Sequence, residues 1–127
     1  MNTGDVTIRD SRDDERDQIL AVHTSAFGDD EGPVIAKLVD EMLDDASGEP
    51  ILSLVAEVDT QLVGHVLFTS ASIEPDQEQV IARILAPLAI IPSHQRQQIG
   101  SRLIQTGLRL LKHSGVNFVF VLGHPAY

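Results

Sequence analysis

The residues best suited to chemistry stand in one stretch, where an apolar run ends at a proline and a polar loop leads into a helical pattern. The run covers Ile84 to Ile91, and its length and its Ile and Leu content predict a buried strand. Pro92 ends it, because proline donates no hydrogen bond to a sheet. Beyond the loop, apolar residues recur every three to four positions, which predicts an amphipathic helix. They are Ile99, Leu103, Ile104, Leu108 and Leu111.

The start of this predicted helix has the groups that hold a phosphate. The first turn of a helix leaves its N–H groups unpaired, and the helix dipole adds partial positive charge there. Gly100 would let a ligand approach the backbone closely, and Ser101 offers a hydroxyl. Arg96 and Arg102 add full positive charges. Composition leaves an alternative open, in which this is an ordinary strand–loop–helix connection and Gly100 only eases the turn.

The order of residues along the stretch resembles motif A of the GNAT N-acetyltransferase superfamily. That motif is a strand ending near a proline, then Gln/Arg-x-x-Gly-x-Gly/Ala, then an amphipathic helix. Gln95 takes its first position and Gly100 its last, and the chain departs from the motif at Gln98, where the first glycine would stand. The departure predicts either crowding of a bound diphosphate or a positive φ that glutamine adopts with difficulty.

Length and composition predict a single domain over residues 1–127 with a core of its own. Hydrophobic residues make up 43% of the chain, cysteine is absent, and the formal net charge is −10. The acidity argues against a nucleic-acid partner, which needs a basic patch, and would favour a cationic substrate such as an amine. A contribution to solubility is the alternative explanation of the acidity. The lack of cysteine is compatible with a cytoplasmic protein, and no apolar run reaches the length of a membrane span.

Periodicity and turn residues predict the element order βααβββαβ, which is an α/β (α+β) fold with a mixed sheet. The two early helices are separated by Gly28, with Ser11 capping the first and Pro33 in the first turn of the second. Asp59 and Thr60 predict a hairpin turn, and Gly64 predicts a bulge or a close approach. The predicted strands cover residues 6–9, 51–57, 61–73, 80–91 and 117–122, the last one parallel to its predecessor.

This order looks like the N-terminal two-thirds of the GNAT acyl-CoA N-acyltransferase fold. Shorter stretches are similar to one bacterial-type branch of the superfamily. They are Ile-Arg at 8–9, Ala-Phe at 26–27, Val-Gly-His at 63–65 and Leu-Gly-His-Pro-Ala-Tyr at 122–127. In that branch the chain usually continues through a second Tyr, a Gly-Phe pair and two more strands. The resemblance therefore implies a C-terminally truncated chain or a fragment.

The resemblance implies an N-acetyltransferase that moves the acetyl group of acetyl-CoA to a primary amine of a small molecule or a protein. Direct attack would occur in a ternary complex. The pantetheine arm would lie along Leu88, Ala89 and Ile90, where Pro87 fits a local bulge. The loop that would surround the diphosphate contains Gln95, Arg96, Gln97, Gln98, Ile99, Gly100 and Ser101.

The acid and the base of such a reaction are harder to assign. In the family a tyrosine after the last strand often protonates the leaving thiolate, and by spacing that tyrosine would follow Tyr127. His65 and His124 are candidate bases because imidazole titrates near neutral pH, and Tyr127 is a candidate neighbour of the site. A structural role is open for all three.

Alternatives from other classes stay open at this point. One is a GNAT-fold module that binds an acyl-CoA without catalysis, which Gln98 favours, and another is an α/β interaction domain without a cofactor. The five histidines are scattered without ligand spacing, so we expect no metal. The acceptor is open, and an exposed strand edge would favour a homodimer.

Overall fold

The fold is built on one mixed sheet, seen in a computed structural model that describes residues 5–71 and 81–121. Within those ranges, the strands are β1 Thr7–Asp10, β2 Leu52–Val58, β3 Gln61–Ala71, β4 Ala82–Ile90 and β5 Phe118–Val121. They stand in the order β1-β2-β3-β4-β5, antiparallel at the first three contacts and parallel between β4 and β5. The predicted mixed α/β fold is confirmed.

Two helices complete the described part of the chain, α1 Arg16–Asp44 and α2 Ile99–His113. Inside α1 the backbone leaves helical geometry at Gly28, where φ is 84° and ψ is −176°. The helix is therefore two helical halves joined at a kink, as predicted, and Pro33 lies early in the second half. Neither described helix is long and apolar enough to cross a membrane.

The two helices cover opposite faces of the sheet. Successive strand residues point to opposite sides, so each strand contributes side chains to the packing against both helices. On β3, the ring of Phe68 packs at Gly107 of α2, whereas His65 reaches His23 of α1. β3 is consequently buried along almost its whole length. The core on the α2 face includes Leu54, Val66, Phe68, Leu85 and Leu103. The core on the α1 face includes Ile19, Val22, Val39, Val55 and Ala89.

Close packing of α2 on the sheet depends on two small residues. A Cβ on Gly64 would stand 2.7 Å from Cδ1 of Ile90, and a Cβ on Gly107 would collide with the ring of Phe68. The close approach predicted at Gly64 is thus confirmed. The β2–β3 register also shifts beside it, between Ala56 and Glu57.

The turns test further predictions. Asp59 and Thr60 have φ of 50° and 66°, which is the backbone of a tight hairpin turn, so that prediction is confirmed. The predicted cap by Ser11 is wrong. A 3-10 turn at Asp13–Glu15 intervenes before α1, and the Ser11 hydroxyl instead donates to Ser53 Oγ at 2.8 Å. Residues 72–80, which include the predicted turn at 74–78, and Leu122 lie outside the described residues.

Candidate functional site

Within the described ranges, β5 runs beside only the first part of β4. β5 pairs with β4 over Ala82–Leu85, and Leu88, Ala89 and Ile90 pair with β3. The register to β3 shifts just before this stretch, where one more residue is inserted in β4 than in β3, around Pro87. The bulge predicted at Pro87 is confirmed. The β4 flank is the side of residues 88–90 that faces away from β3.

The loop after β4 is exposed and internally braced. A 3-10 turn at Pro92–His94 begins it, and the side-chain amide of Gln95 donates to the carbonyl of Ile90 at 2.9 Å. Gln97 makes a longer contact of 3.4 Å with the carbonyl of Ser93. The residues from Gln95 to Gln98 are all exposed. The loop therefore offers its outer surface to solvent while its base is tied to the end of the strand.

Two loop residues adopt left-handed backbone geometry. Arg96 has φ of 64° and Gln98 has φ of 66°. Gln98 is the residue before α2, and its side chain does not cap the helix. The positive φ predicted for Gln98 is confirmed, at a cost of about 1–2 kcal/mol for a residue with a Cβ. A glycine would adopt this backbone without that cost.

The start of α2 leaves its first-turn amides without a side-chain cap. The first backbone hydrogen bond of the helix comes from Arg102 N to the carbonyl of Gln98 at 3.1 Å, so the amides of Ile99, Gly100 and Ser101 precede it. Gly100 faces the flank of β4: a Cβ there would stand 3.5 Å from Cδ2 of Leu88. The helix start and the β4 flank therefore adjoin.

The predicted loop residues differ in what they expose. Ser101 and Arg96 are exposed, and Arg96 forms no ion pair with a described residue. Ile99 is 2% exposed and packs in the core, so only its backbone is available. The same holds for Ala89 and Ile90, which are buried.

Arg102 is directed away from the loop. Its guanidinium donates to the carbonyl of Val6 at 3.1 Å, next to the start of β1. Of the two arginines predicted beside the phosphate, only Arg96 is left on the loop itself.

The charges of the chain are divided along the sequence, a signal that the overall net charge hides. All 19 acidic residues lie before residue 79, and four of the nine basic residues accompany them. The other five basic residues follow without a single Asp or Glu. They are Arg83, Arg96, Arg102, Arg109 and Lys112. The loop and α2 thus belong to a locally cationic segment, and a count within each half of the sequence would have found it.

A line of hydrogen bonds crosses the core on the α1 face. Ser11 Oγ donates to Ser53 Oγ, Ser53 Oγ bonds to His65 Nε2, and His65 Nδ1 bonds to His23 Nε2, each at 2.8 Å. Both imidazoles are 0% exposed. The ring of His23 also stacks on Phe27, four residues later in α1.

The environment keeps both histidines neutral. Burial lowers the pKa of His23 to about 4. Burial, and then the proximity of His23, lowers the pKa of His65 well below its ordinary value. His23 Nδ1 is buried and has no hydrogen-bond partner among the described residues, a state that costs about 1–3 kcal/mol.

His65 is therefore enclosed by protein rather than open to solvent, and its role as a base stays a prediction. His124 and Tyr127 lie outside the described residues. Sequence reasoning missed the pairing of His23 with His65, because the two residues share no motif and lie 42 residues apart. Among the residues that the structure covers, no three His, Asp or Glu side chains gather as metal ligands.

A second polar network lies where β1 leads into α1. Arg9 bonds to both oxygens of Glu15, at 3.0 and 2.6 Å, and to Glu57 at 3.3 Å. Glu15 is 2% exposed and also accepts from the backbone of Arg12. The Arg9 hydrogen bonds, against the opposing effect of burial, lower the pKa of Glu15 to about 2. This cluster fixes the entry of α1 relative to β2.

Comparison with known sequences gives two matches that cover most of the chain. The sequence profile of the family described as "Acetyltransferase (GNAT) domain" matches residues 7–126. The uncharacterized N-acetyltransferase YjhQ of Escherichia coli is 44% identical over 109 residues, which are 86% of this chain and 59% of that protein. The chain thus spans less than two thirds of the length of this curated relative.

Solved structures give matches of similar strength. A GNAT family acetyltransferase from Brucella melitensis, in complex with acetyl-CoA, superposes with a TM-score of 0.82 at 30% identity, over 97% of this chain and 79% of that one. The GNAT family N-acetyltransferase YhbS of Escherichia coli, in complex with CoA, also gives 0.82 at 30% identity, over 95% of this chain and 64% of that one.

Proposed function

We infer that this chain, which belongs to the GNAT acetyltransferase family and has its mixed α/β fold, transfers the acetyl group of acetyl-CoA to a primary amine. The observation that carries the inference is the β4–α2 junction, where the end of β4 adjoins an exposed loop and an uncapped helix start. The relatives bound to acetyl-CoA and to CoA support this cosubstrate.

We assign the pantetheine arm to the β4 flank. A strand edge offers N–H and C=O groups at regular spacing, and the amide groups of the arm have the complementary chemistry. The flank belongs to Leu88, Ala89 and Ile90, whose other edge is already held by β3. Only the backbone is needed, which is compatible with the burial of the Ala89 and Ile90 side chains.

We assign the diphosphate to the loop from Gln95 to Ser101. The amides at the start of α2 lack an acceptor within the helix, and the helix dipole favours an anion there. Arg96 adds a full charge on the exposed loop. The cationic character of residues 79–127 lets an anionic cosubstrate approach a chain whose total charge is −10.

The reaction requires mainly that the chain holds the amine and the thioester in the right relative orientation. The amine nitrogen bonds to the acyl carbon and the C–S bond breaks; the nitrogen gives up a proton, and the sulfur leaves as a thiolate that takes one. Holding the two reactants together can supply an effective molarity of roughly 10⁵ M or more. A backbone N–H directed at the carbonyl oxygen would stabilise the charge that develops there.

We place the acceptor on the acidic side of the molecule. The segment that contains α1 carries Asp29, Asp30 and Glu31 directly after the kink at Gly28. Negative charge there attracts the ammonium form of an amine.

A module that binds acyl-CoA without catalysis is the second candidate, and Gln98 favours it. The exposed glutamine stands at the position of a motif glycine, where its side chain projects from the helix start. Such a module would bind acetyl-CoA and release no thiol with any amine.

Calorimetry followed by a thiol assay tests the proposal. We expect 1:1 binding of acetyl-CoA in the micromolar range, then release of CoA thiol with at least one member of a panel of polyamines, aminoglycosides and peptide N-termini. Absence of heat at millimolar acetyl-CoA would overturn the cosubstrate assignment. Binding without thiol release from any amine would favour the non-catalytic module. Gln98→Gly should bind at least as tightly as the parent chain, because the substitution removes both the left-handed cost and the side chain.

A further inference from the structure

The polar line through the α1 core is not explained by the proposed cosubstrate site. Three hydrogen bonds of 2.8 Å lead from the half-buried Ser11 through Ser53 and His65 to His23. They join the segment before α1, β2, β3 and α1 itself. The line therefore connects four parts of the chain through side chains that point into the core.

Stability alone does not account for two histidines at this place. The neighbouring core residues on this face are apolar, among them Val22, Val55 and Leu62. Apolar side chains of similar size would fill the same space without burying polar atoms. Instead, His23 Nδ1 is left without a partner among the residues that the structure covers. The core therefore contains a directional hydrogen bond at a place that apolar packing would also fill.

The histidine pair lies between the strand and the helix that we assign to the two reactants. His65 is the register partner of Ala89, the central residue of the flank that we assign to the pantetheine arm. Directly opposed residues of an antiparallel pair have Cβ atoms only about 5 Å apart. His23 stands on the first half of α1, five residues before the kink at Gly28. The His23–His65 bond thus joins the first half of α1 to β3, and β3 in turn pairs with the β4 segment that we assign to the cosubstrate.

We propose that His65 and His23 are positioning residues for acetyl transfer, whose shared hydrogen bond holds the first half of α1 in a fixed place against the Ala89 region of β4. The proposal rests on the proposed function. Neither imidazole is placed in contact with a substrate. Their effect is on the geometry between the two bound reactants, which a shift of about 1 Å can spoil.

The chemistry of imidazole explains why the bond is specific. A neutral ring has one N–H and one lone pair, so at the 2.8 Å contact one ring donates and the other accepts. The rings meet edge to face, with an interplanar angle of 78°. Burial keeps both rings neutral, as described above, so the contact is not broken by a second proton near neutral pH.

Substitution by asparagine or glutamine distinguishes the roles of the two ring nitrogens of a histidine. The side-chain amide of Asn occupies a position near that of Nδ1, and the side-chain amide of Gln a position near that of Nε2. At residue 65, H65N keeps a group facing His23, and H65Q keeps only the group facing Ser53. At residue 23, the order reverses: H23Q keeps the group facing His65, and H23N does not. The exposed His113 supplies matched controls, H113N and H113Q, at the end of α2.

The test measures kcat, the KM for acetyl-CoA and the exchange of the Ala89 amide hydrogen in the full chain. We expect H65N and H23Q to keep kcat within about threefold, and H65Q and H23N to lose at least tenfold with an unchanged KM for acetyl-CoA. The Ala89 amide should exchange at least fivefold faster in the second pair than in the first. The His113 variants should match the parent chain.

The outcomes separate this proposal from the proposed function. A purely structural role would lower the unfolding midpoint of all four variants, and kcat would not be higher for H65N than for H65Q and for H23Q than for H23N. That result would overturn the proposal. Equal kcat in all four folded variants would also overturn it. If the parent chain neither binds nor turns over acetyl-CoA, the proposed function fails. The exchange of Ala89 in the ligand-free variants then still decides whether the pair holds β4.

Discussion

The two faces of the sheet are built from different kinds of group. On the α2 face, an apolar core carries a helix whose useful groups are backbone amides at its start and a strand flank beside them. On the α1 face, side chains far apart in sequence form buried polar networks, one centred on Glu15 and one on His65. The charges follow the same division, acidic before residue 79 and cationic after it.

Because of this difference, the two faces should tolerate different amino-acid substitutions. The α2 face depends on shape and on backbone, so most exposed side chains there can change without loss of the fold. The α1 face depends on the identity of single buried atoms, since a polar group that loses its partner in a core is costly. Substitutions that remove a partner should therefore affect stability most on the α1 face, and substitutions that add atoms should do so on the α2 face.

The largest effect is expected for Glu15→Gln on the α1 face. The variant removes the charge that pairs with Arg9 at 2.6 Å and with Arg12 at 3.2 Å, and it should lower the free energy of unfolding by about 3 kcal/mol at pH 7. Urea unfolding measures it. Asp13→Asn, at an exposed residue of the same 3-10 turn, should stay within about 0.5 kcal/mol.

The pH dependence of that difference gives a second readout. Because the Arg9 hydrogen bonds lower the pKa of Glu15 from 4.5 to about 2, its contribution is complete above pH 4.5 and is lost as the pH falls towards 2. The gap between the parent chain and Glu15→Gln should close over that window. A gap that is constant from pH 6 to pH 2.5 would show that the carboxylate charge is not what stabilises this face.

On the α2 face, Gly107→Ala should cost about 2 kcal/mol. The added Cβ would collide with the ring of Phe68, which is 0% exposed and has no room to move. Gly100→Ala on the same helix is the control. Its Cβ meets Leu88 at an ordinary 3.5 Å, and alanine favours a helix over glycine by up to about 1 kcal/mol. Equal unfolding midpoints for the two variants would show that α2 does not pack as closely as described.

The sequence predicted the α2 face well because its signals are contiguous. One stretch of motif and periodicity contains the bulge at Pro87, the positive φ of Gln98, the helix from Ile99 and a strand that was predicted to end at Ile91 and ends at Ile90. Each feature follows from a local property, such as the donor that proline lacks or the Cβ that glutamine carries. The kink at Gly28 was predictable for the same reason.

The α1 networks were not predictable, because they join residues that only the fold brings together. His23 and His65 are 42 residues apart, and Arg9 and Glu57 are 48 apart. Ser11 is predicted from the sequence to cap a helix, yet its hydroxyl donates to Ser53 Oγ on β2. Helical periodicity can place a histidine such as His23 on the buried side of a helix, but nothing local shows which distant side chain it will meet there.

Gly100→Asp tests the assigned cosubstrate site with a smaller effect. A carboxylate in the first turn favours the helix through its dipole, so the fold should not suffer. The same charge would repel a diphosphate, and the affinity for acetyl-CoA should fall at least tenfold, which is about 1.4 kcal/mol. Gly100→Asn, which adds the same volume without the charge, should lose less. Unchanged affinity in Gly100→Asp would place the diphosphate elsewhere.

The smallest effect is expected for Arg96→Ala, on the exposed tip of the loop. An exposed charge contributes through a screened field, which extends about 10 Å at 0.1 M salt and about 3 Å at 1 M. We expect the affinity for acetyl-CoA to fall about threefold at 0.05 M salt and hardly at all at 1 M. The backbone cost of the left-handed φ is common to both residues, so it does not enter the comparison. Arg109→Ala, an equally exposed arginine on α2, should change nothing at either salt concentration if the loop is what meets the anion. Equal losses of affinity in the two variants would mean that only the overall cationic character of residues 79–127 matters. A loss of affinity in Arg96→Ala that persists in 1 M salt would mean that Arg96 forms a direct hydrogen bond to the anion.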